Sequence, residues 1–442
     1  MTTLIQAMLG TDAPAQPSPR IPTPLLAALI ATIGTFYLST NAASSLALFL
    51  LQAKWLPLGV LAIIAMSMMS VRAVPSPPVG MMVAMIVLLI IAVVGTWTSV
   101  DFTYSVLTIA SVTSTIACAY FVSALIVATN SRRAYFELIA MFGRAMIVGT
   151  AIFVMMGWNF GRGSGLSAWS DNPNTLALVM TPSLLIFIAG CIERRPGWPF
   201  WHAAFFIIGF YLVWATNSRA SVIWLGMSLG AFWIYRRGPT LAVFLGMIAL
   251  IVLIGWWIPI KEYMIELLGL RWSTIRDLGI SPLSGREEAW RVGWDLFLGR
   301  PLLGWGIGSS QDLLIAESWR FVRHQGLHFH SSYIMSMVET GLLGFIALMS
   351  AMALTLGRGI ADAGRKRLLP RDSWPLAALP FALVTGSLGH AVFESWLMSS
   401  GNGNMMLFWT WVWMIHHQAQ VGVRTAVSRA PPAPALRAAP AR

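Results

Sequence analysis

Residues 259–330 read PIKEYMIELLGLRWSTIRDLGISPLSGREEAWRVGWDLFLGRPLLGWGIGSSQDLLIAESWRFVRHQGLHFH. This stretch is too polar to cross a bilayer. It carries eight basic residues (Lys261, Arg271, Arg276, Arg286, Arg291, Arg300, Arg320, Arg323) and eight acidic ones. It also holds a glycine-rich turn, Pro301-Leu-Leu-Gly-Trp-Gly-Ile-Gly308, and His324, His328 and His330. A connection of that length inside a compact protein is usually functional.

Everything around it is apolar. The chain has 442 residues, 57% of them hydrophobic and 10% charged, with 21 Trp and a mean hydropathy of +0.71, far outside soluble composition. Apolar runs of spanning length fall at 24–48, 56–71, 79–97, 103–127, 135–156, 174–190, 199–216, 220–235, 239–258, 331–355, 374–393 and 402–417. The fold class expected is therefore an all-α polytopic membrane protein with about twelve helices, a helical external region lying between the ninth and tenth. Residues 1–23 and 421–442 read as cytoplasmic tails, 24–258 as the first nine spans, 259–330 as the external region and 331–420 as the last three spans.

Orientation follows from arginine. With residue 1 inside, the internal segments carry Arg20, Arg72, Arg132, Arg133, Arg194, Arg195, Arg236, Arg237, Arg358, Arg365, Lys366, Arg367 and Arg371, whereas the short external loops carry Lys54, Arg162 and Arg219. That is a positive-inside pattern, and it puts 259–330 on the periplasmic side of a two-membrane cell. The net charge of +12 sits largely on the cytoplasmic rim, where topology and anionic lipid account for it, so nucleic acid is not an expected partner. No basic n-region precedes a short apolar run, so the first span is expected to act as its own insertion signal. Cys118 and Cys191 fall within or beside spans and suggest neither a disulfide nor a metal site.

Within the external region, Ser284-Gly-Arg-Glu287 has the spacing of a capping box, predicting a helix from near Gly285 to Gly299. Trp290, Trp294, Phe297 and Leu298 would form its apolar face against the membrane surface or the bundle. Gln311 to Val322 is expected to form a second surface helix. Arg286 would stand at the first helix's N-terminus, where unpaired N–H groups and the dipole favour an anion; simple pairing with a neighbouring acid is the alternative. Arg219, in Trp214-Ala-Thr-Asn-Ser-Arg-Ala-Ser221, lies at the external interface against the positive-inside bias. It could snorkel, or use its planar fork on a pyrophosphate.

His330 immediately precedes a span, and a neutral imidazole there could accept a proton from a sugar hydroxyl, although interfacial histidines are also commonly structural. His328 and His330 lack an evident third and fourth metal ligand. Asp171-Asn-Pro-Asn174 reads as a helix cap with proline in the first turn. Glu339 and Glu394 are expected within spans, where an ionised group is costly, and either could pair with an external arginine.

Together, Asp171-Asn-Pro-Asn-Thr-Leu-Ala177, Thr216-Asn-Ser-Arg-Ala220, Ser284-Gly-Arg286 with Trp290, Pro301-Leu-Leu-Gly-Trp-Gly306, His330-Ser-Ser-Tyr333 and Glu339-Thr-Gly-Leu-Leu-Gly344 resemble the O-antigen ligase and polymerase superfamily in order and spacing. The resemblance spans roughly residues 170–355. It implies an integral glycosyltransferase of the inner membrane that takes glycan from undecaprenyl pyrophosphate on the periplasmic side, with membrane lipids as surroundings and no cofactor. Length and the twelve expected spans look most like the ligase that joins O-antigen to lipid A–core; repeat-unit polymerases and protein O-oligosaccharyltransferases share the architecture. Carried over, Arg219 and Arg286 would bind the donor pyrophosphate and His330 would be the base, with Asn174, His328, Tyr333 and Arg291 as further substrate contacts. Many relatives have Asn after the histidine, where this chain has Ser331, which leaves open what orients His330. A transporter of lipid-linked glycan is the alternative of a different class; few charges lie in mid-membrane, and a large one-sided external region suits a fixed site better than alternating access.

Overall fold

A computed structural model describes residues 21–41, 54–69, 77–158, 165–168, 170, 172–192, 198–237, 286–321, 328–365, 374–400 and 402–429. Regular structure among them is helical: α1 (Thr23–Asn41), α2 (Trp55–Met69), α3 (Val79–Gly95), α4 (Phe102–Ala128), α5 (Arg132–Met155), α6 (Pro173–Ile192), α7 (Trp198–Ala215), α8 (Arg219–Arg237), α9 (Arg286–Gly299), α10 (Ser310–Ala316), α11 (Ser332–Arg365), α12 (Trp374–His390) and α13 (Gly403–Arg429). The protein is an all-α, multi-pass membrane protein. Val79–Thr98, Phe102–Ala128, Arg132–Met155, Pro173–Ile192 and Ser332–Gly364 are long and apolar enough to span. Eleven of the twelve expected spans coincide with helices. The ninth, 239–258, the cap at Ser284, Asp171, His324 and residues 1–20 and 430–442 of the tails lie outside the described residues; residues 421–429, expected in the second tail, instead continue α13.

Local chemistry sets the helix starts. Asp101 caps α4 by accepting the Tyr104 N–H at 2.8 Å. Asn172 accepts the Asn174 N–H at 2.8 Å, with Pro173 opening α6, as the Asp171–Asn174 pattern predicts. The core packs α8 on α12, α13 on α4, α11 on α3 and α6 on α7.

α9 ends at Gly299 as expected. The second surface helix is shorter than expected: α10 stops at Ala316, and a 3-10 turn, Ser318–Arg320, follows. In that turn Arg320 bonds to Asp295 on α9 and to Glu317 at 3.4 Å.

The glycine-rich turn is built into the bundle. α11 is broken at Gly341 (φ 63°, ψ −169°), and the backbone groups freed by the break bond to the turn. Leu342 N donates to Pro301 O at 2.7 Å, Leu343 N to Leu302 O at 3.3 Å, Trp305 N to Val338 O and Gly306 N to Glu339 O, both at 2.9 Å. These bonds satisfy groups that would be costly to leave bare in a buried setting. Gly304 (φ 72°) faces the Glu339 carbonyl carbon, where a Cβ would sit 2.5 Å away; at Gly341 a Cβ would lie 2.3 Å from the Leu302 carbonyl. Backbone cannot yield as a flexible side chain can. Gly341→Ala is therefore expected to cost at least the roughly 1–3 kcal/mol of a non-glycine left-handed residue, and more with the clash. Thermal unfolding in detergent should show a fall of several degrees or no folded protein, whereas Gly357→Ala, with open space around it, should change little.

Candidate active site

Five elements converge at one end of the bundle, where α6, α8, α9 and α11 begin and α12 ends. His330 sits just before α11 in a left-handed conformation (φ 49°), a strained backbone of the kind that persists where its surroundings hold it. Its Nδ1 is 3.3 Å from Glu394 Oε2. Glu394 Oε1 accepts from Arg286 Nη2 at 2.7 Å and from Asn174 Nδ2 at 3.1 Å. One carboxylate thus joins α6, α9 and the approach to α11. Side-chain exposures of 17% for Arg286, 17% for Glu394 and 23% for His330 make this a partly desolvated cluster rather than a solvated surface pair.

Arg219 opens α8 and is exposed; the turn before it is closed by Thr216, whose Oγ accepts the Ser218 N–H at 3.2 Å, and contains Asn217 at φ 60°. Its guanidinium is near enough to Arg286 to feel that charge.

Glu394 does not lie in a span as expected. α12 ends at His390, and Glu394 belongs to the loop that follows. Ser332 holds that loop: its hydroxyl donates to Glu394 O at 2.8 Å and accepts from Trp396 N at 3.0 Å and Leu397 N at 3.2 Å. Ser331 N donates to Ser395 Oγ at 2.9 Å. The His330-Ser-Ser-Tyr333 motif therefore clamps the Glu394 loop through backbone and hydroxyl groups, and Trp290 of α9 meets Phe393 with ring centroids 6.2 Å apart. Burial raises the Glu394 carboxyl, but the His330 hydrogen bond, Arg286 and the His390 imidazole outweigh it and leave the group below its ordinary range. It is an anion at neutral pH.

The remaining candidates separate. Asn174 is in the cluster. His328 is exposed, its ring 6.4 Å from that of His330. Tyr333 uses its hydroxyl on Leu388 O at 2.7 Å, which ties α11 to α12. Arg291 is exposed, and five residues from Arg286 it is turned about 140° around α9. Glu339, the other carboxylate expected to meet an arginine, instead accepts from Ser310 Oγ at 2.6 Å and anchors the start of α10. The sequence marks Glu394 as a possible partner for an arginine; no local signal shows that its carboxylate also meets His330, 64 residues away. Among the described residues no group of three His, Cys, Asp or Glu is arranged to hold a metal.

An apolar cavity of about 340 Å³ runs between α3 and α4. Its lining includes Ile307 of the glycine-rich turn and Met398 of the Glu394 loop, with Met85, Leu88, Ile109 and Ile116.

Residues 204–349 match the Wzy_C family model, described as O-antigen ligase. The chain is also 28% identical over 137 residues to the exopolysaccharide production protein ExoQ of Rhizobium meliloti (strain 1021), a match covering 29% of this chain and 30% of that protein. The family match takes in Arg219, Arg286 and His330 and ends before Glu394.

Proposed function

We propose that this chain, which resembles the O-antigen ligase and polymerase superfamily over residues 204–349, transfers glycan from undecaprenyl pyrophosphate to lipid A–core at the periplasmic face of the inner membrane. The observation that carries the reading is the partly desolvated cluster of His330, Glu394 and Arg286 at the bundle end, with the exposed Arg219 close enough to feel the Arg286 charge.

The chemistry follows from what these groups can do. The acceptor hydroxyl oxygen bonds to the anomeric carbon as the bond from that carbon to the pyrophosphate oxygen breaks. His330 takes the hydroxyl proton, and the electron pair leaves with the pyrophosphate. Negative charge grows there, and fixed guanidiniums stabilise it most where water is scarce. Arg219 and Arg286 supply that charge, with donor forks suited to two phosphate oxygens at once. The apolar cavity beside the Glu394 loop offers room for part of the donor's hydrocarbon. A single displacement inverts the anomeric centre and needs no covalent enzyme intermediate.

Transfer is expected to proceed unchanged in EDTA, because arginine takes the part a divalent cation plays elsewhere; restoration of lost activity by added magnesium or manganese would overturn this. A second reading, polymerisation of repeat units, is favoured by the relative named for exopolysaccharide production. One reaction separates the two: purified protein is given lipid-linked glycan with or without lipid A–core. Glycan joined to lipid A–core supports ligation, lengthening of the lipid-linked glycan in its absence supports polymerisation, and no transfer at all by folded protein refutes both.

A further inference from the structure

We infer that Glu394 is the positioning residue of this site, fixing the His330 tautomer and holding Arg286 in place through one carboxylate. The inference rests on the proposed transferase reading, and the family match does not carry it, since that match ends at residue 349.

The geometry divides the work between the two oxygens. Oε2 faces His330 Nδ1 at 3.3 Å, and a carboxylate there is satisfied only by Nδ1–H, which puts the imidazole lone pair on Nε2. Oε1 takes Arg286 Nη2 at 2.7 Å and Asn174 Nδ2 at 3.1 Å, so Glu394 cannot rotate without losing both. The loop that carries it is tied to Ser331 and Ser332, the residues directly after His330. Base and positioning residue therefore move as one unit. This answers what orients His330 where many relatives have Asn and this chain has Ser331: the orienting group comes from the loop after α12. The charged and titratable groups around Glu394 are His330, Arg286 and His390, with His328 beside His330 and Arg219 beside Arg286.

A carboxylate on Nδ1 also favours the imidazolium that forms when His330 takes a proton. Glu394→Gln keeps the shape and removes the charge. It is expected to lower kcat about 100-fold or more while donor KM stays level or falls, and to move the acid limb of the rate–pH profile down by about one unit or more. Glu394→Asp should recover part of the rate and move the limb back. Combining Glu394→Gln with His330→Ala should add little to the loss from His330→Ala alone. A parallel measurement needs no turnover: nitrogen NMR of the ¹⁵N-histidine-labelled full chain, with the His330 signals identified by their loss in His330→Ala. Wild type is expected to show the Nδ1–H form, and Glu394→Gln a mixed tautomer population titrating at lower pH. An unmoved acid limb with additive losses, or an unchanged His330 tautomer in Glu394→Gln, overturns the inference. If wild type transfers no glycan yet the nitrogen signals shift as stated, the positioning role stands and the transferase reading falls.

Discussion

Alanine at position 330 is expected to slow glycan transfer about 100- to 10,000-fold, the usual span for removing a positioned general base, with donor affinity nearly unchanged. The separation of rate from binding is what identifies the role. His330 meets Glu394 through Nδ1, and pyrophosphate binding is assigned to Arg219 and Arg286, so removing the imidazole takes away a proton acceptor without removing an anion contact. His328→Ala should be milder, because that ring is exposed and makes no hydrogen bond to Glu394. Turnover and donor binding are measured separately on membrane-inserted, folded variants. Near wild-type turnover in His330→Ala would show that another group takes the proton. Glu339 would be a poor substitute, since its carboxylate is committed to Ser310 inside the bundle.

Arg286→Lys is expected to cost about 100- to 1,000-fold in rate, comparable with losing one preorganised donor to a developing charge. Lysine keeps the charge but has no planar fork, and at this position the fork is assigned two duties: Nη2 holds Glu394, while the remaining N–H groups are assigned to the donor. Arg219→Lys should also impair transfer, but less, because Arg219 is exposed and its assigned duty is to the donor alone. The order of the two losses is the informative result. Equal losses would mean that the Arg286–Glu394 pair contributes nothing to the reaction, and an unimpaired Arg286→Lys would remove the pyrophosphate assignment itself.

Most of the helical scaffold was legible in the sequence because membrane helices announce themselves by composition. Satisfying every backbone group inside a bilayer leaves few alternatives to a helix, so the apolar runs from 79–97 to 220–235 fall where α3 to α8 lie. The Asn172 cap and the end of α9 were equally local and equally readable. Where the sequence misled, long-range contacts decided the outcome. Gln311–Val322 has the composition of one helix, yet α10 stops at Ala316 and a 3-10 turn follows, with Arg320 bonded to Asp295 of α9. Glu394 follows an apolar run and so reads as part of a span, but Ser332 pins the loop around it by three hydrogen bonds. His330 and Arg219 are recognisable by type and by position at span ends, and Arg286 by its place at the start of α9. That one carboxylate links His330 to Arg286, and that a glycine-rich turn fills the break at Gly341, are pairings between residues far apart in the chain, which no periodicity encodes.

The central claim is a single displacement driven by an oriented histidine opposite two arginines, and stereochemistry tests it most directly. A donor of defined anomeric configuration on undecaprenyl pyrophosphate is given to the purified protein with its acceptor in EDTA, and the new glycosidic linkage is assigned from proton and carbon NMR couplings. The account predicts a linkage of inverted configuration, formed at full rate without metal. Retention of configuration would contradict it, because it requires a second displacement and a glycosyl-enzyme intermediate for which this mechanism has no place.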